Sequence, residues 1–275
     1  MMRLSPSGMA NLLGRLMPAH LPSVDPFRRS NRGVIISCHI GKTGGTSLRR
    51  LLRDLHGDRL VFITKPPGSG PIPLECYPLL RHHYFYALSI DSHDLRYVPP
   101  ETFWPGARFA VILREPLETF LSGYFFVRHH VGQRVSVDNA EERETWLRQH
   151  FPKIEELGLI FSNNMTRFLS WRDFFTPVPD EALETAKREL VKYDYIGLNE
   201  RMDELPQFLA RDFPEFAGRT IPKENVTPKS GGDATWAERV DRKTLEFARQ
   251  AVRLDLELYD FAREVYHRRL QDAQS

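Results

Sequence analysis

The stretch Val34–Leu48, VIISCHIGKTGGTSL, limits the fold more than any other part of the chain. A short β-branched run, Val34–His39, breaks into Gly41-Lys42-Thr43-Gly44-Gly45-Thr46-Ser47. Helical spacing follows at once, with Leu48, Leu51, Leu52 and Leu55 at i, i+3, i+4 and i+7 and Arg49, Arg50 and Arg53 on the other face. This predicts a buried strand, a sharp turn and an amphipathic helix that Gly57 ends. A strand that turns directly into a helix leaves the first helical N–H groups without intrahelical partners. They form an anion site that the helix dipole strengthens. Gly44 and Gly45 let the backbone approach an anion closely, Lys42 adds a positive charge, and Thr43, Thr46 and Ser47 add hydroxyl donors.

The same alternation recurs downstream. Strands are expected at 59–64 (RLVFIT), 83–90 (HYFYALSI), 108–114 (RFAVILR) and 193–200 (YDYIGLNE). Helices are expected after Glu115-Pro116, over RMDELPQFLARDF, and from about 241 to 271. Strands alternating with helices predict an α/β fold of three α/β/α layers around a mostly parallel sheet, with ligands at the carboxyl ends of the strands. The 275 residues suit one domain, 34–275, behind a lead-in, 1–33, that carries a short amphipathic pattern. A net charge of +2 argues against nucleic acid or an anionic membrane as the main partner, so anion binding must be local. Two cysteines imply no disulfide framework, and no Cys/His cluster has metal-ligand spacing, so no metal site is expected. With no apolar run of about 18 residues and no signal-peptide pattern, the expectation is a cytoplasmic protein without a transmembrane segment.

A nucleoside-triphosphate loop, G-x-x-x-x-G-K-[ST], requires glycine where this chain has Ile36, and only Gly41-Lys42-Thr43 fits its end. HIGKTGGTSL (39–48) instead resembles the 5′-phosphosulfate loop of sulfotransferases that use 3′-phosphoadenosine 5′-phosphosulfate (PAPS). The likeness is to the carbohydrate-type branch (sulfotransferase family 2-like, related to heparan sulfate and uronyl 2-O-sulfotransferases), with Gly41 in place of the usual proline. LREPLETFLSGYFF (113–126) resembles the 3′-phosphate motif of that family, with Arg114 and Ser122 on its two ligand positions and Thr119 in place of its second arginine. An arginine at a strand end can grip phosphate with two N–H bonds, and Ser122 lies two helical turns on. NNMTRFLS, YDYIGLNERMDELPQFL, KENVTP and DLELYDFA resemble later segments more loosely, so the likeness runs from about 34 to 265. Asn164, Arg167 and Asn225 are candidates to line the cleft.

The resemblance implies a P-loop-containing fold and transfer of a sulfuryl group from PAPS, leaving PAP, to a hydroxyl of a carbohydrate or glycolipid, with no metal required. Lys42 would stabilise the departing phosphate oxygen. Lys42, Thr43, Gly44, Gly45, Thr46, Ser47, Arg114 and Ser122 would hold the nucleotide. A histidine suits the base, and His93, 21 residues before Arg114, occupies the loop after a strand where the family carries its own; His83 is the reserve. His129 and His130 follow the helix of Ser122, His150 and His267 lie in charged helical stretches, His56 sits by a helix cap, His82 precedes a strand, and Glu115 is tied to a helix start. Two other readings stay open: a kinase with a degenerate loop that delivers Asp91 to Mg2+, and a non-catalytic module for glycan or nucleotide. EDTA separates the first, and Lys42→Ala the second, because a module has no turnover to lose. Oligomeric state is not legible.

Overall fold

The computed structural model describes residues 33–65, 70–134, 161–173, 176–222, 235 and 237–272. Five strands, β1 (Ile35–Cys38), β2 (Leu60–Ile63), β3 (Ser89–Ser92), β4 (Arg108–Leu113) and β5 (Tyr195–Leu198), form one sheet in the order β2-β3-β1-β4-β5. Every pairing is parallel. The helices are α1 (Gly45–His56), α2 (Tyr77–His83), α3 (Pro100–Phe103), α4 (Pro116–Arg134), α5 (Asn164–Leu169), α6 (Ala182–Leu190), α7 (Leu205–Leu209), α8 (Arg242–Ala251) and α9 (Arg253–Asp272). From β1 the chain moves outward to β2, returns to β3, then crosses to β4. The carboxyl end of β1 therefore lies at the reversal of strand order, where such sheets bind ligands.

Period-2 alternation on β1 divides the core between two layers. Ile35 packs with Leu48, Leu51 and Leu52 of α1 and Leu205 and Leu209 of α7. Ile36 and Cys38 point the other way, toward Met165 of α5, Ala186 of α6 and Leu258 of α9. Both faces of the sheet are thus covered, which is why the β1 and β5 strands are buried along their whole length. The expected α/β/α layering holds.

Two elements differ from expectation. HYFYALSI is not a strand: its start finishes α2, Tyr84–Tyr86 turn, and pairing begins only at Ser89. Tyr77, Leu80 and Tyr84 are buried at helical spacing, and the aromatic run mimicked strand alternation because the turn itself packs into the core. The correction moves the strand end to Ser92, so His93 directly follows it. The expected final helix is also broken, at Val252 (φ −112, ψ 19). There the Asn163 Oδ1 accepts the N–H groups of Leu254 and Asp255, at 3.0 and 3.3 Å, and starts α9 afresh. The lead-in falls outside the described residues except for Gly33.

The exchange is reciprocal. Asp255, buried at the start of α9, accepts the N–H groups of Met165 and Thr166 at 3.0 and 2.8 Å and the Thr166 hydroxyl at 2.7 Å, capping α5. Asp255→Ala leaves two buried helix N–H groups without their acceptor. It is expected to lower stability by roughly 2–4 kcal/mol, read from denaturant unfolding, with Asp255→Asn intermediate.

Candidate functional site

The β1–α1 loop is fixed through its carbonyls. Gly41 O accepts from Asn164 Nδ2 (3.1 Å), Lys42 O from the Arg114 guanidinium (3.3 Å) and Thr43 O from Asn199 Nδ2 (3.1 Å). The donors come from α5, the end of β4 and the end of β5, so three elements converge on three consecutive residues. Thr43 is fully buried and its hydroxyl closes the loop on Ile40 O at 3.0 Å. Gly44 adopts φ 104, a left-handed conformation that side chains resist, and a Cβ there would stand 2.3 Å from Asn199 Nδ2. A Cβ on Gly45 would stand 2.2 Å from the His39 ring. The two glycines therefore let Asn199 and His39 close on the loop from either side.

α1 opens without a side-chain cap and without an acidic residue in its first turn. Its positive end is met by cations. Lys42, itself left-handed at φ 68, sets Nζ 4.0 Å from the centroid of the Phe126 ring. Burial, and then the charge of Arg114, push its ammonium down to about 8. Arg114 also reaches Glu118 at 3.3 Å, one turn along α4, while Ser122 is buried a turn further. Glu115 is the cap of that helix: its carboxylate accepts the Glu118 N–H at 2.7 Å, and its own N–H donates to Glu200 at 3.0 Å.

His93 stands at the end of β3, next to β1. Its Nδ1 lies 2.8 Å from His39 O. A carbonyl oxygen only accepts, so Nδ1 carries the proton and the neutral ring keeps its lone pair on Nε2. Burial, and then the neighbouring His39, push the His93 imidazole down to about 4. The His39 ring lies 4.0 Å away, centroid to centroid, and its Nδ1 is 3.2 Å from Asp91 Oδ2. Asp91 is fully buried; its other oxygen accepts the Ser37 hydroxyl at 2.6 Å, and Arg49 approaches at 3.6 Å. Phe62, at the end of β2, meets His93 edge-on at 6.3 Å and carries Arg49 over its face at 4.5 Å.

Lys42, Arg114 and the loop are thus joined by direct contacts, and His93 is joined to them through His39, three residues before Lys42. Asn164 meets the loop, and Arg167 is buried on α5. His83 ends α2 against Tyr84 with its Nε2 buried, six residues before β3 begins, toward the amino end of that strand. His56 is bonded to Ser89 at 2.9 Å. Asn225 and His150 lie outside the described residues, as do the side chains of His129 and His130. His39, Arg49 and Asn199 escaped the sequence reading as site residues, and Asp91 entered it only as a Mg2+ ligand of the kinase reading. The available signal was Ser37 and His39 two apart in a buried strand, polar residues on one face where apolar ones were expected. Among the described residues no three His, Cys, Asp or Glu side chains form a metal-holding group, and Asp91 has its carboxylate engaged by protein donors.

A family model described as "Sulfotransferase family" matches residues 25–262. A search of curated proteins finds no match. The matched span takes in all five strands, the β1–α1 loop and the residues that pin it, and the chain therefore belongs to the sulfotransferase family, whose chemistry is sulfuryl transfer to an acceptor.

Proposed function

We propose that the chain transfers the sulfuryl group of PAPS in line to a hydroxyl of a carbohydrate or glycolipid, with His93 as base. One observation carries this reading: the N-terminus of α1, uncapped and free of acid in its first turn, is met by Lys42, whose ammonium Arg114 and burial already disfavour. Such a site gains most from an anion. Thr46, Ser47 and the first backbone N–H groups of α1 suit the 5′-phosphosulfate. Arg114, with N–H donors beyond those given to Lys42 and Glu118, suits the 3′-phosphate together with Ser122.

The step follows from these positions. His93 Nε2 takes the proton of the acceptor hydroxyl as the new O–S bond forms. The S–O bond to the phosphate breaks, its electron pair stays on the phosphate oxygen, and Lys42 meets that charge. Positioning and electrostatics carry such loose transfers. Phe62 and Phe126, 41% and 37% exposed, lie beside His93 and Lys42 and offer apolar faces to a sugar ring.

Radiolabelled PAPS supplied with pooled glycans and lipid extracts tests the reading. Transfer is expected to survive EDTA, because Lys42 supplies the cation at the leaving oxygen. Lys42→Ala is expected to lower kcat about 100- to 1000-fold. Loss of transfer on chelation, with ATP consumed instead, would establish the kinase reading.

The pH profile follows from two groups. His93 acts as a base only when neutral, so kcat/KM rises through about pH 4. Lys42 acts only when protonated and its value is depressed, so kcat/KM falls as pH rises through about 8. A plateau extending past pH 9 would remove Lys42 from the free-enzyme profile. Phe62→Ala is expected to raise the acceptor KM about 3- to 10-fold and leave the PAPS KM in place; equal effects on both substrates would argue against an acceptor wall.

A further inference from the structure

The buried group beneath His93 is larger than a base requires. Ser37 lies in β1 and His39 directly follows that strand, and Asp91 stands opposite Ser37 in the β1–β3 register. The three are bonded in series, Ser37 hydroxyl to Asp91 Oδ1 at 2.6 Å and His39 Nδ1–H to Asp91 Oδ2 at 3.2 Å. Ser37, His39 and Asp91 are 2%, 4% and 0% exposed. A carboxylate so deeply buried is costly unless a cation compensates it. Arg49, at 3.6 Å, is only loosely placed to do so, and His39 is closer.

The fixing of the His93 tautomer belongs to the backbone, because the acceptor is His39 O. That bond survives any replacement of the His39 side chain. The ring must therefore be explained separately. It lies 4.0 Å from the His93 ring at an interplanar angle of 33°, with its own Nδ1 turned to Asp91. The titratable and charged groups that face His93 are His39 just after β1, Asp91 from β3, Arg49 from α1 and Arg96, which donates to His93 O at 2.9 Å. Asp91 is the carboxylate both imidazoles share, and one negative charge does not compensate two imidazoliums beside Arg49. A proton on His39 therefore opposes one on His93.

We propose that His39, anchored by Asp91, is a positioning residue that keeps the His93 ring neutral and its Nε2 lone pair available. The proposal rests on His93 being the base, and its direct test does not. The depression of the His93 imidazole, to which the charge of His39 contributes next after burial, agrees with it.

The test follows the His93 imidazole ¹H–¹³C resonances against pH in the wild-type protein, His39→Gln and His39→Phe, without donor or acceptor. Gln keeps a polar group toward Asp91, and Phe keeps a stacked ring; both remove the titratable imidazole beside His93. The wild-type His93 ring is expected to keep neutral-ring shifts down to about pH 4, and its midpoint to rise in both variants. An unmoved midpoint overturns the proposal. So does a rise in Gln alone, which would assign the effect to packing. His39→Phe decides alone if His39→Gln does not fold; if His39→Phe does not fold, an unmoved midpoint in His39→Gln still overturns the proposal. The acid limb of kcat/KM is expected to rise with the midpoint. A midpoint that rises while the limb stays supports the control of ring charge by His39 and removes His93 as the base.

Discussion

Three consecutive carbonyls, those of Gly41, Lys42 and Thr43, accept from Asn164, Arg114 and Asn199, and the rest of the site depends on that arrangement. A glycine-rich loop has the conformational freedom to adopt many shapes. Here each successive peptide is bound by a different element, so the loop is shaped by the fold around it and not by its own sequence. Asn164 is in place because Asp255 caps its helix, Arg114 because β4 ends beside β1, and Asn199 because β5 ends beside β4. The same bonds turn the carbonyl edge toward protein, where a negative edge would otherwise oppose an incoming anion.

A second network holds the segment that carries His93. Arg96 is buried and donates to the carbonyls of His93, Leu95 and Phe168 while lying 3.4 Å from the Phe168 ring centroid. It ties the segment after β3 to the end of α5, the helix whose start carries Asn164. The β1–α1 loop and the segment of His93 are therefore braced against one short helix.

Much of this was legible in the chain and some was not, for physical reasons. The β1–loop–α1 unit could be read because hydrophobic spacing changes from 2 to 3.6 within a few residues, and Lys42 and the glycines stand at that change. β4 and the start of α4 were equally plain, because Pro116 marks the helix start after an unbroken apolar run. The start of β3 was hidden by aromatic residues that bury themselves in a turn. The break at Val252 is imposed by Asn163, separated by 91 residues from the Leu254 it caps, and local pattern carries no trace of such a partner. His93 was singled out by its place past a strand end and by resemblance, and Asp91 only as a ligand for Mg2+; His39 was passed over because a polar residue inside an apolar run reads as an interruption until its partner on the next strand is known.

The reciprocal caps between Asn163 and Asp255 have a consequence for how the molecule is made. Residues 41–43 leave the ribosome early, yet Asn164 can hold Gly41 only once its helix is capped, and the cap lies 89 to 90 residues further along. The loop thus gains its full set of capped partners only once α9 has docked. The order in which the loop gains its bonds is then set by non-local contacts and not by chain position.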